Sequence, residues 1–242
     1  MEMAEEKIAE RIDANLLNVN IKDIGEIPES IFENRVNEIG RKSQGKLIIK
    51  EYPTASAHSG HFKALLSDLS LKKDFRPNII FIDYLNICAS SRYKGHIVNS
   101  YTYVKAIAEE LRVLAVEHDL PIVSATQTTR SGFGNSDVDL TDTSESFGLP
   151  ATADLMLALI STEELEQSGR IMVKQLKNRY NDLTYFRRFT VGIDRAKMKL
   201  YNVDDSEGEL TASDAPEEET FDRLEDISNR QSRLDKFSQF VI

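Results

Sequence analysis

The sequence predicts an α/β fold with a mostly parallel central sheet and an antiparallel end. Three observations predict it. Two apolar runs, 78–85 and 120–127, each end in polar residues and flank one long amphipathic helix, the strand, helix, strand order of a parallel pair joined by a right-handed crossover. Four more β-rich runs follow, with connections too short to hold a crossover helix, which suits antiparallel pairing. The chain has 242 residues, 40% hydrophobic and 29% charged, with 11 Gly and 6 Pro, an ordinary globular composition with length for one large α/β domain or two small ones.

Residues 3–17 place Ile8, Ile12 and Leu16 four apart among charges, which predicts an amphipathic helix with no N-cap residue before it. Pro28 suits the first turn of a helix running to Ile39. Lys46 to Tyr52 alternates and reads as a short strand stopped by Pro53. Phe62, Leu65, Leu66 and Leu69 predict a helix over 59–72. The run from Asn78 to Leu85 reads as a strand covered on both faces, as parallel sheets require. Tyr101 to His118 carries Val104, Ile107, Ala108, Leu111 and Leu114 at helical spacing, and Leu120 to Gln127 reads as a second buried strand. A polar loop over 128–150 precedes strands at 154–160, 170–176, 185–191 and 199–203. From Asp204 to about Pro216 the composition is that of a linker, and Phe221, Leu224, Ile227, Leu234, Phe237 and Phe240 then recur among charges, as in a segment that folds on a partner. The expected organisation is a body, 1–203, and an acidic linker and tail, 204–242.

The formal charge of −10 is unevenly placed. Asp204 to Ile242 hold 12 acidic and 4 basic residues, net −8, which leaves about −2 on the body. Within 174–199, eight basic residues face only Asp182 and Asp194, a local net of +6 that suits a polyanion or a solvated strand edge equally. The single cysteine, Cys88, excludes an internal disulfide and any Cys-based metal centre, agrees with a reducing compartment, and reads as a core residue. His58 and His61 stand three apart with no third donor near, so they read as polar residues of a helix start. The first residues have neither a basic nor an apolar signal region, and no apolar run approaches membrane-spanning length; a membrane partner is not expected.

Ligands of parallel sheets sit beyond the carboxyl ends of the strands. Asp83 ends the first strand, where an aspartate either holds Mg²⁺ through water against nucleotide phosphates or opens a turn. Gln127 ends the second, where its amide can reach a γ-phosphate or simply face solvent, and Thr126, Thr128 and Arg130 crowd the same end. The near match to a phosphate-binding loop, Gly40 to Leu47, fails. Its last position must be Ser or Thr to hold the metal and is Leu47, and it follows a helix and opens a strand instead of the reverse. A helix C-cap and turn built on Gly40 and Gly45 is the expectation there.

Five motifs stand in order along the chain: Met1-Glu2-Met3-Ala4-Glu5-Glu6, Ile82-Asp83-Tyr84-Leu85, Ser124-Ala125-Thr126-Gln127, Ser144-Glu145-Ser146 with Ala153-Asp154, and Lys174-Gln175-Leu176-Lys177-Asn178-Arg179. In that order they resemble the RecA-like motor domain of DnaB-type hexameric replicative DNA helicases, and across nearly all of 1–203 the chain looks like the T-even-type phage members. The resemblance implies a RecA-like P-loop NTPase core, N-terminally truncated, since the family's collar domain, first strand and phosphate-binding loop would lie upstream of Met1. It implies ATP and Mg²⁺ as cofactors, with Asp83 as the Mg²⁺ aspartate and Gln127 as the γ-phosphate sensor. Glu2 would be the general base that orients water, though by position alone it is a first-turn helix acid. Lys177 and Arg179 would reach the neighbouring subunit's nucleotide, Arg179 as an arginine finger, which demands a ring.

The loop from Thr128 to Pro150 resembles the family's pore loop for single-stranded DNA. The family's Arg-Glu-Ser stands here as Ser144-Glu145-Ser146, so the usual arginine contact is absent. Arg130, Asn135, Ser144, Glu145 and Ser146 are the expected DNA-binding residues, with Phe147 stacking on a base or plugging the loop. The implied protein partners are further copies in a hexameric ring, primase and a helicase loader, in the cytoplasm of a bacterial host. The implied function is the C-terminal part of an ATP-dependent 5′-to-3′ replicative DNA helicase, inactive without the missing segment. The alternatives are a non-catalytic ring-assembly and DNA-binding module, or a RecA-type recombinase; Tyr84-Leu85 and the 174–179 motif favour the helicase.

Overall fold

Six α-helices and six strands form among the residues described by the computed structural model, which are 3–43, 45–93, 99–128 and 148–203. The tail, 204–242, lies outside them. Helix α1 (Glu5–Leu17) starts without a side-chain cap, as its sequence requires, and Glu5 and Glu6 set negative charge against its N-terminal dipole. It is tied to a distant stretch of the chain: Asn15 Nδ2 donates to the Met198 carbonyl at 2.6 Å, and just past the helix the Ile21 N–H donates to the Ala196 carbonyl at 2.8 Å. Leu16 nevertheless stays exposed, so the expected stripe is only partly used.

Helix α2 (Glu29–Lys42) runs through Gly40 and is capped by extended Ser43, which corrects the expected stop at Gly40; Arg41 and Lys42 in the last turn suit its negative end. Residues 46–52 form no strand and pair with none among the described residues, which corrects the expected short strand. Instead the Glu51 N–H donates to Glu5 Oε1 at 2.7 Å, which satisfies the backbone locally. Helix α3 (Ser59–Lys73) begins in a reciprocal cap: His58 Nδ1 accepts the Gly60 N–H at 3.0 Å and His61 Nδ1 accepts the His58 N–H at 3.3 Å. That is the helix-start role expected of the two histidines.

Strand β1 (Ile80–Ile82), helix α4 (Ser100–His118) and strand β2 (Ile122–Ser124) build the parallel pair, in the register Ile80 to Ile122, Phe81 to Val123 and Ile82 to Ser124. Asn99 Oδ1 caps α4 from the Thr102 N–H, and Asp119 ends it in the left-handed conformation. Both strands are shorter than their apolar runs, because the chain bends at Asp83 and leaves β2 after Ser124. One face of the pair lies on α4, where Ile82, Leu85, Cys88, Val104, Ile107, Ala108, Leu111 and Leu149 form the main core. The expectation of cover on both faces fails: Phe81 is 69% exposed and Val123 46%. Burial pushes the Cys88 thiol up to about 11, which leaves it inert as a nucleophile.

Helix α5 (Gly148–Thr152) forms at the end of the expected polar loop, and Leu149 carries it into that core. Strands β3 (Leu155–Ile160), β4 (Arg170–Asn178), β5 (Arg188–Asp194) and β6 (Lys199–Asn202) make an antiparallel sheet in chain order, with a register shift between Met156 and Leu157. Helix α6 (Glu163–Gln167), which periodicity did not signal, fills the β3–β4 connection under a Thr162 cap. The fifth strand starts three residues later than expected, because Gln175 Nε2 takes the Tyr185 and Phe186 carbonyls and Phe186 has a positive φ of 54°. Ala158, Ile160 and Leu176 form a second small core, while Leu155, Leu157 and Leu159 point away from it and stay exposed.

Glu110 is the buried charge of α4. It accepts from Ser59 Oγ, Ser90 Oγ and the Ser91 hydroxyl and N–H, with contacts of 2.7 to 3.0 Å. Burial works to raise its pKa, but the bonds from Ser90, Ser91 and Ser59 outweigh it and bring the group to about 2. Its stabilisation is therefore complete above the ordinary carboxylate value of 4.5 and is lost as pH falls through about 2. Glu110→Gln should cost about 1–3 kcal/mol at pH 7 in urea titrations, and its deficit against the parent chain should shrink steadily below about pH 4. Ile107→Ala, in the same core, should cost about 2–5 kcal/mol at any pH.

Candidate nucleotide site

The parallel register places the carboxyl ends of β1 and β2 side by side. Ser124 Oγ donates to the Ile82 carbonyl at 2.8 Å, and the Leu85 N–H donates to the Ala125 carbonyl at 3.2 Å. One residue further out, Thr126 Oγ1 donates to Asn86 Oδ1 at 2.9 Å and Gln127 Nε2 to the Tyr84 hydroxyl at 3.4 Å. These cross-strand bonds hold Asp83 and Gln127, both exposed, at one end of the pair. The Asp83–Tyr84 peptide is cis. A carboxylate beside a neutral amide suits a hydrated cation next to a phosphate oxygen. Among the described residues no group of three or more His, Cys, Asp or Glu gathers into a cage. The donor set thus fits Mg²⁺, which keeps waters and takes one or two carboxylates plus phosphates, better than an ion held by protein alone.

Lys177 and Arg179 come together at the end of β4. Lys177 Nζ donates to the Pro150 carbonyl at 2.6 Å, and Arg179 donates to Asp154 Oδ1 at 2.8 Å and the Ala151 carbonyl at 3.4 Å. The backbone agrees, since the Arg179 N–H donates to the Asp154 carbonyl at 2.9 Å. The other Asp154 oxygen belongs to Arg112 of α4, which also donates to the Thr152 carbonyl, at 2.9 and 2.8 Å. Desolvation lowers the Lys177 pKa, helped by repulsion from Arg179 and Arg112 and opposed by Asp154. Sequence reading named Asp154 without a role and missed Arg112, whose partner lies 42 residues away and leaves no local signal. Glu110 was legible in principle, as an acid interrupting the apolar face between Ile107 and Leu114.

Glu2, Arg130, Asn135, Ser144, Glu145, Ser146 and Phe147 lie outside the described residues.

Residues 1–187 match the family of the DnaB-like helicase C terminal domain. The chain belongs to that family. It is 46% identical over 207 residues to a DnaB-like replicative helicase of Enterobacteria phage T4, across 84% of this chain and 44% of that protein. It is 29% identical over 164 residues to the replicative DNA helicase DnaB of Helicobacter pylori, across 66% of this chain and 32% of that one. The chain thus spans less than half the length of the curated relatives it matches. The fold is similar to a DnaB-like replicative helicase solved in a study of its interactions with primase, and to the ATPase domain of G40P. Both give a TM-score of 0.68 at 16% identity over 84% of this chain, covering 49% and 72% of those chains. The fold is therefore the expected RecA-like one, formed among the described residues by a two-stranded parallel sheet and a separate four-stranded antiparallel sheet, and family membership sets the recombinase alternative aside.

Because Arg112 and Arg179 share one carboxylate, Arg112→Ala alone should cost about 1 kcal/mol in thermal melts, with Asp154 still paired. Arg112→Ala with Arg179→Ala should exceed the sum of the single losses by at least about 0.5 kcal/mol, and plain additivity would contradict the shared pair.

Proposed function

We propose that this chain supplies the magnesium, sensor and arginine-finger parts of an ATP-driven 5′-to-3′ replicative DNA helicase motor. The observation that supports this reading is that Asp83 and Gln127 both follow the carboxyl ends of the paired parallel strands β1 and β2, linked by the Gln127 bond to Tyr84, in a chain of the DnaB-like family. In this reading Asp83 would hold Mg²⁺ through its water shell, and that ion supplies charge neutralisation on the nucleotide phosphates. Gln127 donates to a γ-phosphate oxygen, and its bond to Tyr84 links that contact to Asp83's own strand end. Glu2 orients the attacking water. Lys177 and Arg179 act on ATP bound by the next subunit of a head-to-tail hexamer, which makes the ring part of the active site.

The 242 residues contain no G-x-x-x-x-G-K-[ST] loop, so in this reading the phosphate cradle, its lysine and its metal hydroxyl come from another segment. The exposed Phe81, Val123, Leu155, Leu157 and Leu159 support that reading. They leave apolar sheet faces uncovered where an α/β core normally carries helices, and a strand, loop and helix bearing the cradle would cover them. Single-stranded DNA is assigned to the 128–150 loop. The tail's apolar pattern suits a helicase loader, and primase is a fitting partner because a solved neighbour was studied with one. No helix among the described residues is long and apolar enough to cross a membrane, and the bacterial host cytoplasm is the compartment this function needs.

The test is complementation. The chain alone should turn over ATP negligibly, and adding the cradle segment, fused or as a separate polypeptide, should yield DNA-stimulated turnover. In that assembly Asp83→Ala should abolish turnover and Arg179→Ala should lower it about 10³-fold or more. DNA-stimulated turnover by the pure chain, lost in Asp83→Ala, would overturn the division of the site. An assembly that forms rings and binds DNA yet never hydrolyses ATP would favour the second reading, a non-catalytic module, which the missing cradle also permits.

A further inference from the structure

Arg179 already has an anionic partner inside its own chain. Asp154 accepts from Arg179 Nη1 on one oxygen and from Arg112 Nη1 on the other, and all three side chains are partly exposed, at 36% for Asp154, 43% for Arg179 and 40% for Arg112. The two arginines are not equivalent. Arg112 rises from the main-core helix and also holds the Thr152 carbonyl at 2.8 Å, whereas the further contact of Arg179, to the Ala151 carbonyl, is long at 3.4 Å. If Arg179 leaves, Asp154 keeps a full charge partner, so departure strands no carboxylate. A half-exposed ion pair is also weak enough to be exchanged for a phosphate, which gives a guanidinium shorter, charge-assisted bonds.

We propose that Asp154 is a positioning residue that holds Arg179 at rest and competes with the neighbouring subunit's nucleotide for it, while Arg112 keeps Asp154 in place. This rests on the arginine-finger reading above. Arg179 moving to nucleotide releases the Ala151 carbonyl and one Asp154 oxygen, so nucleotide occupancy loosens α5 at its C-terminal end. The backbone bond from the Arg179 N–H to the Asp154 carbonyl stays, so the motion belongs to the side chain.

The experiment uses the complemented assembly and ATP, with KM and kcat read separately. A competitor inside the chain lowers the fraction of Arg179 available to nucleotide, so Asp154→Asn should lower the KM for ATP about two- to five-fold. Asp154→Glu, which restores the charge, should bring KM back towards the parent value. An Asp154→Asn assembly with KM unchanged or raised, while Arg179→Ala still disables turnover, overturns the proposal and leaves the finger reading standing. Arg179→Ala with full turnover overturns the finger reading itself. A measurement that needs no Asp154 variant is amide hydrogen exchange of the parent assembly. A non-hydrolysable ATP analogue should speed exchange at the Ala153 N–H, which donates to the Leu149 carbonyl. Arg179→Ala should do the same without nucleotide, and unchanged exchange in both cases overturns the proposal.

Discussion

Burial of one face of α4 is the constraint on which the rest of the structure depends. Val104, Ile107, Ala108, Leu111 and Leu114 are all nearly removed from water, and each fully buried aliphatic side chain contributes about 1.5–3 kcal/mol. Against that stripe lie β1 and β2, through Ile80, Ile82 and Ile122, and α5, through Leu149. The polar residues of the same helix extend its reach. Glu110 ties down the backbone at Ser91, and Arg112 ties down Asp154 where the chain enters β3. One helix thus sets both the strand ends that carry Asp83 and Gln127 and the entry to the sheet that carries Lys177 and Arg179.

Those two pairs are held in different ways. Asp83 and Gln127 are exposed and lie just beyond the carboxyl ends of β1 and β2, where Gln127 bonds the Tyr84 hydroxyl next to Asp83. Lys177 and Arg179 sit at a strand terminus, and their donors are occupied by carbonyls and a carboxylate of their own chain.

The positive excess of 174–199 looks different once partners are assigned. Lys174 is 4% exposed, Lys177 and Arg179 face α5 and Asp154, Arg195 pairs with Glu166, and Lys197 pairs with Asp194. Part of the local positive charge is therefore taken up by contacts within the sheet and its connections, while Arg187 and Arg188 stay exposed. The specific carbonyl and carboxylate contacts matter more than the sum of the charges.

Sequence by itself determined the four long helices, α1 to α4, the order of the six strands and the identity of the strand-end residues. Helical periodicity and caps such as Asn99 act over a few residues, and an apolar run ending in Asp83 or Gln127 names its own polar terminus. Motif order carried the family. Tertiary structure alone decided which residues share a partner. The exposed second face of β1 and β2, the failure of 46–52 to form a strand, the late start of β5 and the sharing of Asp154 between Arg112 and Arg179 all depend on groups far apart in the chain. Pattern and propensity report what a segment can bury or pair, but only the packed chain fixes what lies opposite it, because that partner is chosen by contacts no local window contains.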